Sequence, residues 1–213
     1  MATSFSTATL NANGLRKDKD RRALFFWLKT LCIDIIFLQE THCHPEDVQN
    51  WKKEWGGDDE SFWSTCSSNM KGVAVLFNCK LDYKIENMVI DRHARYLYFE
   101  FVIEGEKRFK MVNIYAPNDV LLREKFFEGM EKWIDLSDQN LVGGDYNCAQ
   151  NFDLDRLNCV NEKMMKAVHI FIDSCLNFSW KMYGGVAIPI NYVILFLEAT
   201  KNLVWIIGLS VNL

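Results

Sequence analysis

Ile33-Asp34-Ile35-Ile36-Phe37-Leu38-Gln39-Glu40 is a run of β-branched and aromatic residues closed by two polar ones. Near-continuous apolar character over 33–39 predicts a strand buried on both faces. That strand delivers the carboxylate of Glu40 to its end. Upstream, Phe5–Leu10 reads as a short strand ending at the turn cluster Asn11-Ala12-Asn13-Gly14, which suits positive φ. Between the two, Leu24, Trp27, Leu28 and Leu31 recur at the i, i+3, i+4, i+7 spacing of one helical face. Lys17, Lys19, Arg21, Arg22 and Lys29 occupy the opposite face.

Downstream, a short helix from Pro45 to Trp55 places Val48, Trp51 and Trp55 on one side, and Gly56-Gly57-Asp58-Asp59 stops it. Four strand-like segments follow, Val73–Phe77, Tyr83–Asp91, Tyr96–Ile103 and Arg108–Ile114. In the third, Leu97, Phe99, Phe101 and Ile103 alternate with Tyr98, Glu100 and Val102, the period of two that one buried sheet face imposes. Glu104-Gly105-Glu106 supplies a hairpin turn, and the pattern is an antiparallel meander rather than strand–helix alternation. Leu122, Phe126, Met130 and Trp133 mark a second amphipathic helix. A short strand Asn140–Gly143, a sharp turn at Gly143-Gly144-Asp145 and a third helix over 161–175 complete the pattern.

The composition bounds what such a chain does. With 213 residues, 49% hydrophobic and 24% charged, it buries a sizeable core and is neither disordered, collagenous nor a coiled coil. Lysine and arginine number 24 against 28 acidic residues, so nucleic-acid binding must rest on a local patch and not on whole-chain basicity. Seven cysteines, an odd number without a Cys-x-x-Cys pair, read as reduced thiols of an intracellular protein. Met1–Leu10 lacks the basic start and long apolar run of a signal peptide. The stretch 186–213 is apolar, yet its longest unbroken apolar run is only Tyr192–Leu197, so no membrane span is expected. Its paucity of charge suggests a division into a domain over 1–180 and an apolar tail over 181–213.

Chemistry gathers at strand ends. Asn11, Glu40 and the pair Asp145 with Asn147 each follow a predicted strand, and Tyr115 follows Val112-Asn113-Ile114. Rigid strands fix such groups while the adjoining loops stay open to solvent. Four strand ends bearing oxygen-rich side chains describe a site for a hard cation, Mg²⁺ or Mn²⁺. His42, His44, His93 and His169 are expected on the surface or on helix faces, and His169 with Asp173 has the spacing of a helical ion pair.

Five ordered motifs, Leu10-Asn11-Ala12-Asn13-Gly14-Leu15, Phe37-Leu38-Gln39-Glu40-Thr41-His42, Gly72-Val73-Ala74-Val75-Leu76, Asn113-Ile114-Tyr115-Ala116-Pro117-Asn118 and Gly144-Asp145-Tyr146-Asn147, resemble the endonuclease/exonuclease/phosphatase superfamily. The nearest likeness is to the apurinic-type endonuclease domain of non-LTR retrotransposon polyproteins, over residues 6–160, with Leu154-Asp155-Arg156 in the same style. The resemblance implies a DNase-I-like four-layer α/β sandwich, two facing mixed sheets flanked by helices, truncated at the C-terminus. It implies Mg²⁺- or Mn²⁺-dependent phosphodiester hydrolysis that nicks duplex DNA, in a polyprotein whose reverse transcriptase lies outside this chain. By the same resemblance Glu40 binds the metal with Asn11 beside it, Asp145 orients the attacking water, Asn147 holds the phosphate and Tyr115 hydrogen-bonds the scissile group. Arg16, Lys17, Arg21 and Arg22 are candidate contacts to DNA phosphates, against the default of a solvated helix face. A nuclear or cytoplasmic location follows.

One departure matters. Family members carry an Asp–His acid–base pair in their last quarter, whereas here the last aspartate is Asp173 and the last histidine His169. Such a pair is worth roughly 10²–10⁴-fold, so impaired catalysis is expected. The rivals are an inactive remnant that binds DNA or metal, and a phosphomonoesterase of the same superfamily.

Overall fold

Two five-stranded sheets lie face to face in the computed structural model, which describes residues 5–57, 60–67, 71–77, 83–103, 107–130, 133, 139–147, 180–183, 186–189, 193–196 and 205–209. The chain runs through β1 (Phe5–Asn11), α1 (Asp18–Thr30), β2 (Ile35–Gln39), a 3₁₀ turn (Pro45–Asp47), α2 (Val48–Trp55), β3 (Ser61–Ser64), β4 (Val73–Phe77) and β5 (Tyr83–Ile90). It continues with β6 (Tyr96–Ile103), β7 (Lys107–Tyr115), α3 (Val120–Met130), β8 (Gln139–Asp145), β9 (Trp180–Tyr183), β10 (Val186–Pro189), β11 (Val193–Phe196) and β12 (Trp205–Leu209). The first sheet has the order β12-β1-β2-β4-β3 and the second β11-β8-β7-β6-β5, while β9 and β10 pair with each other. Both sheets are mixed. In the first, β1 and β2 are parallel; in the second, β7 and β8 are parallel, and β5, β6 and β7 form the expected antiparallel meander.

Alternation along the strands builds the layers. Phe5 on β1, Ile35 and Phe37 on β2, Phe99 and Phe101 on β6, Phe109 and Met111 on β7 and Leu141 on β8 point between the sheets and make the central core. Ala8, Leu10, Ile36 and Leu38 point the other way, against Phe25 and Leu28 of α1 and Trp51 and Trp55 of α2. On the far side Tyr98, Val112, Ile114 and Val142 meet Phe127 and Met130 of α3. Each such fully buried side chain contributes about 1.5–3 kcal/mol, and the result is helix, sheet, sheet, helix: the four layers expected.

Both amphipathic helices pack most of the expected stripe, Leu24 and Leu28 from α1 with Leu31 just after it, and Phe126 and Met130 from α3 with Trp133 beyond it, and each also buries an arginine that the pattern did not mark. In α1 the buried residues are Arg21, Phe25 and Leu28, with Trp27 on the surface; in α3 they are Arg123, Phe127 and Met130, with Leu121 and Leu122 exposed. The cause is the same in both. Arg21 donates to the Leu15 carbonyl (3.0 Å) and Arg123 to those of Pro117 (3.0 Å) and Asn118 (2.9 Å), so each guanidinium satisfies main-chain acceptors of the loop before its helix. β3 is a strand that the sequence pattern did not mark. Gly143 and Gly144 do not turn but lie within β8. A Cβ on Gly143 would stand 2.7 Å from the buried Phe37 ring, and one on Gly144, at φ 139°, would collide with the Ile114 carbonyl of β7. These two glycines let the strand lie close to both neighbours.

Two edge strands come from the 181–213 stretch. β12 pairs antiparallel with β1 and β11 parallel with β8. The hairpin turn at 104–106, the helix over 161–175 and the Asp58-Asp59 end of the stop after α2 lie outside the described residues. Among the described residues, no helix is long and apolar enough to cross a membrane.

The sheets are joined by more than apolar contact. Asn113 of β7 donates to the carbonyls of Leu38 (3.0 Å) and Ala74 (2.8 Å) in the opposite sheet, and accepts from Gln39 Nε2 (2.7 Å), which also donates to Thr9 Oγ1 (3.0 Å). All three side chains are buried. Asn113→Ala would remove the side-chain donors to two buried carbonyls and one of the two acceptors of the Gln39 amide, each lost bond worth about 1–3 kcal/mol. A loss of about 3–5 kcal/mol is expected in denaturant unfolding; a loss under about 1 kcal/mol would show the amides to be replaceable.

Candidate active site

The inward register of the four central strands carries the site. Asn11 follows Thr9 on the inner face of β1, Tyr115 follows Asn113 on β7, and Asp145 follows Gly143 on β8; Glu40 is the first residue after β2. Parallel pairing sets Asn11 beside Gln39 and Tyr115 beside Asp145. The structure thus gathers at one edge of the sandwich all five residues singled out in the sequence.

Asn11 is the junction. Its amide donates to Glu40 Oε1 (2.9 Å) and to Asp145 Oδ2 (2.8 Å), so one side chain bridges carboxylates from opposite sheets. Its Oδ1 accepts from the Asn13 amide (3.0 Å), an Asx turn that explains the left-handed φ of 48° at Asn13. The other Asp145 oxygen accepts the Asn147 backbone N–H (2.9 Å), and Asn147 Nδ2 donates to the Ala116 carbonyl (2.7 Å). Glu40 and Asn147 also take left-handed backbone, at φ 48° and 50°. Asparagine tolerates this conformation, whereas at glutamate it costs about 1–2 kcal/mol. Glu40 is held there by the bond from Gly14 N–H to its carbonyl (2.7 Å) and, one residue on, by that from Thr41 N–H to Gly72 (3.1 Å).

Electrostatics follow from crowding two acids in a half-dry place. Burial raises the Asp145 pKa, as does the Glu40 charge, while the Asn147 and Asn11 donors oppose it. Burial, then the charge of Glu40 and a hydrogen bond to it, push the Tyr115 phenol up, so it stays a donor at any physiological pH. His42, expected on the surface, is instead largely covered, with Nε2 buried 3.9 Å from Glu40 Oε2 and without a hydrogen-bond partner. Burial lowers its pKa, Glu40 raises it and Arg16 lowers it.

Two facing carboxylates linked by an amide, with open loops around them, fit a small hard cation, which takes one or two carboxylates and keeps several waters. Among the described residues no group of three or more His, Cys, Asp or Glu forms a closed metal cage.

The basic run at 16–22 divides. Arg21, 4% exposed, is committed to Glu54 (2.7 Å) and Asp18 (2.8 Å) and lies over the Trp51 ring, so it is a packing residue and not a phosphate contact. Arg22 reaches Glu54 (3.3 Å) and Arg16 reaches Asp47 (3.3 Å), both from exposed positions, and Lys17 stands in solvent near Asp20. The cleft of about 360 Å³ that Arg16, Arg21 and Arg22 line with Asp18, Asp47 and Glu54 holds matched charges, and none of the five site residues lines it. Gln39, Asn113 and Arg95 were not singled out by sequence. For the two amides the available signal was a polar residue in the inward register of an apolar strand.

The sequence profile of the endonuclease/exonuclease/phosphatase family matches residues 8–197. The chain belongs to that family. A relative from Xenopus laevis, described as the transposon TX1 uncharacterized 149 kDa protein, is 29% identical over 150 residues, 68% of this chain. The chain spans only 11% of that relative's length. The fold is that of AP endonuclease LMAP from Leishmania major, with a TM-score of 0.62 at 17% identity over 80% of this chain and 66% of the other. The catalytic domain of Xenopus laevis APE2 gives 0.59 at 16% identity, over 78% and 67%.

The raised pKa of Asp145 carries a testable sign. A carboxyl whose folded pKa exceeds its unfolded value contributes stability at low pH that is lost as pH rises through the folded value. Glu40→Gln keeps an oxygen for Asn11 and removes the neighbouring charge. The variant is expected to melt higher than wild type at neutral pH and to lose less stability between acid and neutral pH. Mg²⁺ is expected to raise the wild-type melting temperature and leave the variant's unchanged; equal shifts in both would place the ion elsewhere.

Proposed function

We propose that this chain is a metal-dependent phosphodiesterase that nicks duplex DNA, the endonuclease segment of a transposable element. The observation that carries the reading is the Asn11 bridge between Glu40 and Asp145, which joins one acid suited to a cation and one suited to a water. The Xenopus transposon relative supports the element origin. A reverse transcriptase elsewhere in the parent polyprotein and an intracellular site of action belong to the same proposal.

Glu40, with Asn11 beside it, would hold Mg²⁺ or Mn²⁺, which supplies neutralisation of the charge that gathers on the phosphate. Asp145 accepts a hydrogen bond from the attacking water and orients it in line with the leaving oxygen. Its two existing donors, Asn11 and Asn147, fix the carboxylate while it does so. An asparagine amide has two N–H bonds. One of those on Asn147 holds Ala116, and the second faces a phosphoryl oxygen. The Tyr115 phenol, kept protonated, donates to the scissile group. Arg16, Lys17 and Arg22 are the members of the basic run that reach DNA phosphates.

A second reading is a folded remnant that binds DNA or metal without cutting. Supercoiled plasmid separates the readings. Relaxation is expected in Mg²⁺, none in EDTA, and a rate at least about 10²-fold lower for Asp145→Asn. A wild-type protein that is folded by circular dichroism yet no faster than the variant leaves only the remnant. Cleavage confined to small phosphomonoesters would favour the phosphatase branch.

A further inference from the structure

Behind the site stands a cation that nothing so far employs. Arg95 immediately precedes β6, half-buried, and its Nη1 donates to the carbonyls of Tyr115 (3.4 Å) and Ala116 (3.2 Å). The guanidinium carbon lies 4.8 Å from the centre of the Tyr115 ring, within cation–π range. The contact is reciprocal along the main chain, since Tyr115 N–H donates to the Arg95 carbonyl (2.7 Å). Among the described residues, no carboxylate forms an ion pair with Arg95, so its charge is not spent on an acid as that of Arg21 is.

Arg95 is itself held from behind. Its backbone N–H donates to Asp91 Oδ2 (2.8 Å), and Ala94, buried at φ 56°, accepts from Gly72 N–H (3.3 Å). Gly72 in turn accepts from Thr41, the residue after Glu40. In front of it, the Ala116 peptide is used completely: its N–H donates to the Asp145 carbonyl (2.8 Å), and its oxygen accepts from both Asn147 Nδ2 and Arg95. One side chain therefore touches the ring of Tyr115 and shares an acceptor with Asn147.

We infer that Arg95 is the positioning residue of this site, holding the Tyr115 ring on its cationic face and fixing, through the shared Ala116 carbonyl, the Asn147 amide. The inference rests on the phosphodiesterase reading for its catalytic consequence, but not for the contact itself. Nη1 alone bonds both successive carbonyls while the guanidinium carbon lies over the ring, and the single compact ammonium of a lysine does not occupy both positions at once. The effect falls on the chemical step, because misplacing reacting groups by an ångström costs up to about 10²-fold.

The test uses the whole chain in three forms, wild type, Arg95→Ala and Arg95→Lys, each checked for folding by circular dichroism. In plasmid nicking, Arg95→Ala is expected to lower kcat by about 10–100-fold with KM nearly unchanged. Sub-denaturing guanidinium ion should restore part of the loss in Arg95→Ala and none in Arg95→Lys. In parallel, the protein is labelled with fluorotyrosine, and the Tyr115 ¹⁹F resonance is assigned by its disappearance in Tyr115→Phe. That resonance should move in Arg95→Ala. An unchanged kcat in a folded Arg95→Ala overturns the proposal, as does a loss that lies wholly in KM, which would make Arg95 a substrate contact. Where wild type itself does not nick, the phosphodiesterase reading fails and the ¹⁹F resonance alone decides: displacement sustains the positioning role, and an unmoved line overturns it.

Discussion

Everything at the active edge depends on the fixed offset between two sheets, and a buried amide relay sets that offset. Apolar faces alone slide. Phe, Ile and Leu side chains between sheets are satisfied in many registers, since dispersion and burial are nearly direction-free. Asn113 is not, because its two N–H bonds reach the Leu38 and Ala74 carbonyls and its oxygen takes the Gln39 amide. A displacement of one sheet against the other by a fraction of a residue would leave several buried polar groups unpaired, in a medium where each loss is costly. Gln39 immediately precedes Glu40, and Asn113 stands two residues before Tyr115. The relay that aligns the sheets thus sits directly beneath the groups that must be aligned.

At the edge itself the molecule accepts local cost. Two acids are drawn together and half-desolvated, Glu40 adopts left-handed backbone, and His42 carries a buried nitrogen without a partner. Strain of this kind persists where the surrounding structure over-determines it. The over-determination is visible as the chain of main-chain bonds that ties Gly14 to Glu40, Thr41 to Gly72, Gly72 to Ala94, and Tyr115 to Arg95. Four loops from both sheets are stitched in sequence, so no single loop bears the repulsion alone.

How far the sequence was legible varied with the kind of force involved. The strands β1, β2, β4, β6 and β7 and the five strand-end residues that converge at one edge were readable, because period-two burial and strand-end polarity are local signals. The helix faces were readable in part. Leu24, Leu28 and Leu31 on and just after α1 and Phe126 and Met130 of α3 pack as their spacing suggests, but Arg21 and Arg123 are buried beside them by acceptors, the carbonyls of Leu15, Pro117 and Asn118, that appear only once the preceding loops are folded. Gly143-Gly144 reads as a turn by composition, yet its glycines answer to Phe37 and Ile114, residues more than a hundred and about thirty positions away. Arg21 reads as part of a solvated helix face or as a phosphate contact until Glu54 is placed beside it. In each case the deciding partner is remote in sequence, and a pattern of spacing carries no trace of it.

The placement of the site follows from strand polarity. In an antiparallel pair, adjacent strand ends at one edge are a C-terminus and an N-terminus, so residues leaving two successive strands part to opposite edges. Each sheet here has a central parallel pair that brings two C-terminal ends side by side: Asn11 with Gln39 and Glu40 in one, Tyr115 with Asp145 in the other. Face-to-face packing of β1 and β2 on β7 and β8 then superimposes the two pairs, which is why a single asparagine can bridge them. Elsewhere the pairing of β2 with β4, of β3 with β4, and of β5 with β6 and β7 is antiparallel, so the described strand pairs place no comparable cluster at the opposite edge. The mixed topology is thus the reason the five candidate residues share one edge, and the amide relay between the sheets is the reason that edge is in register.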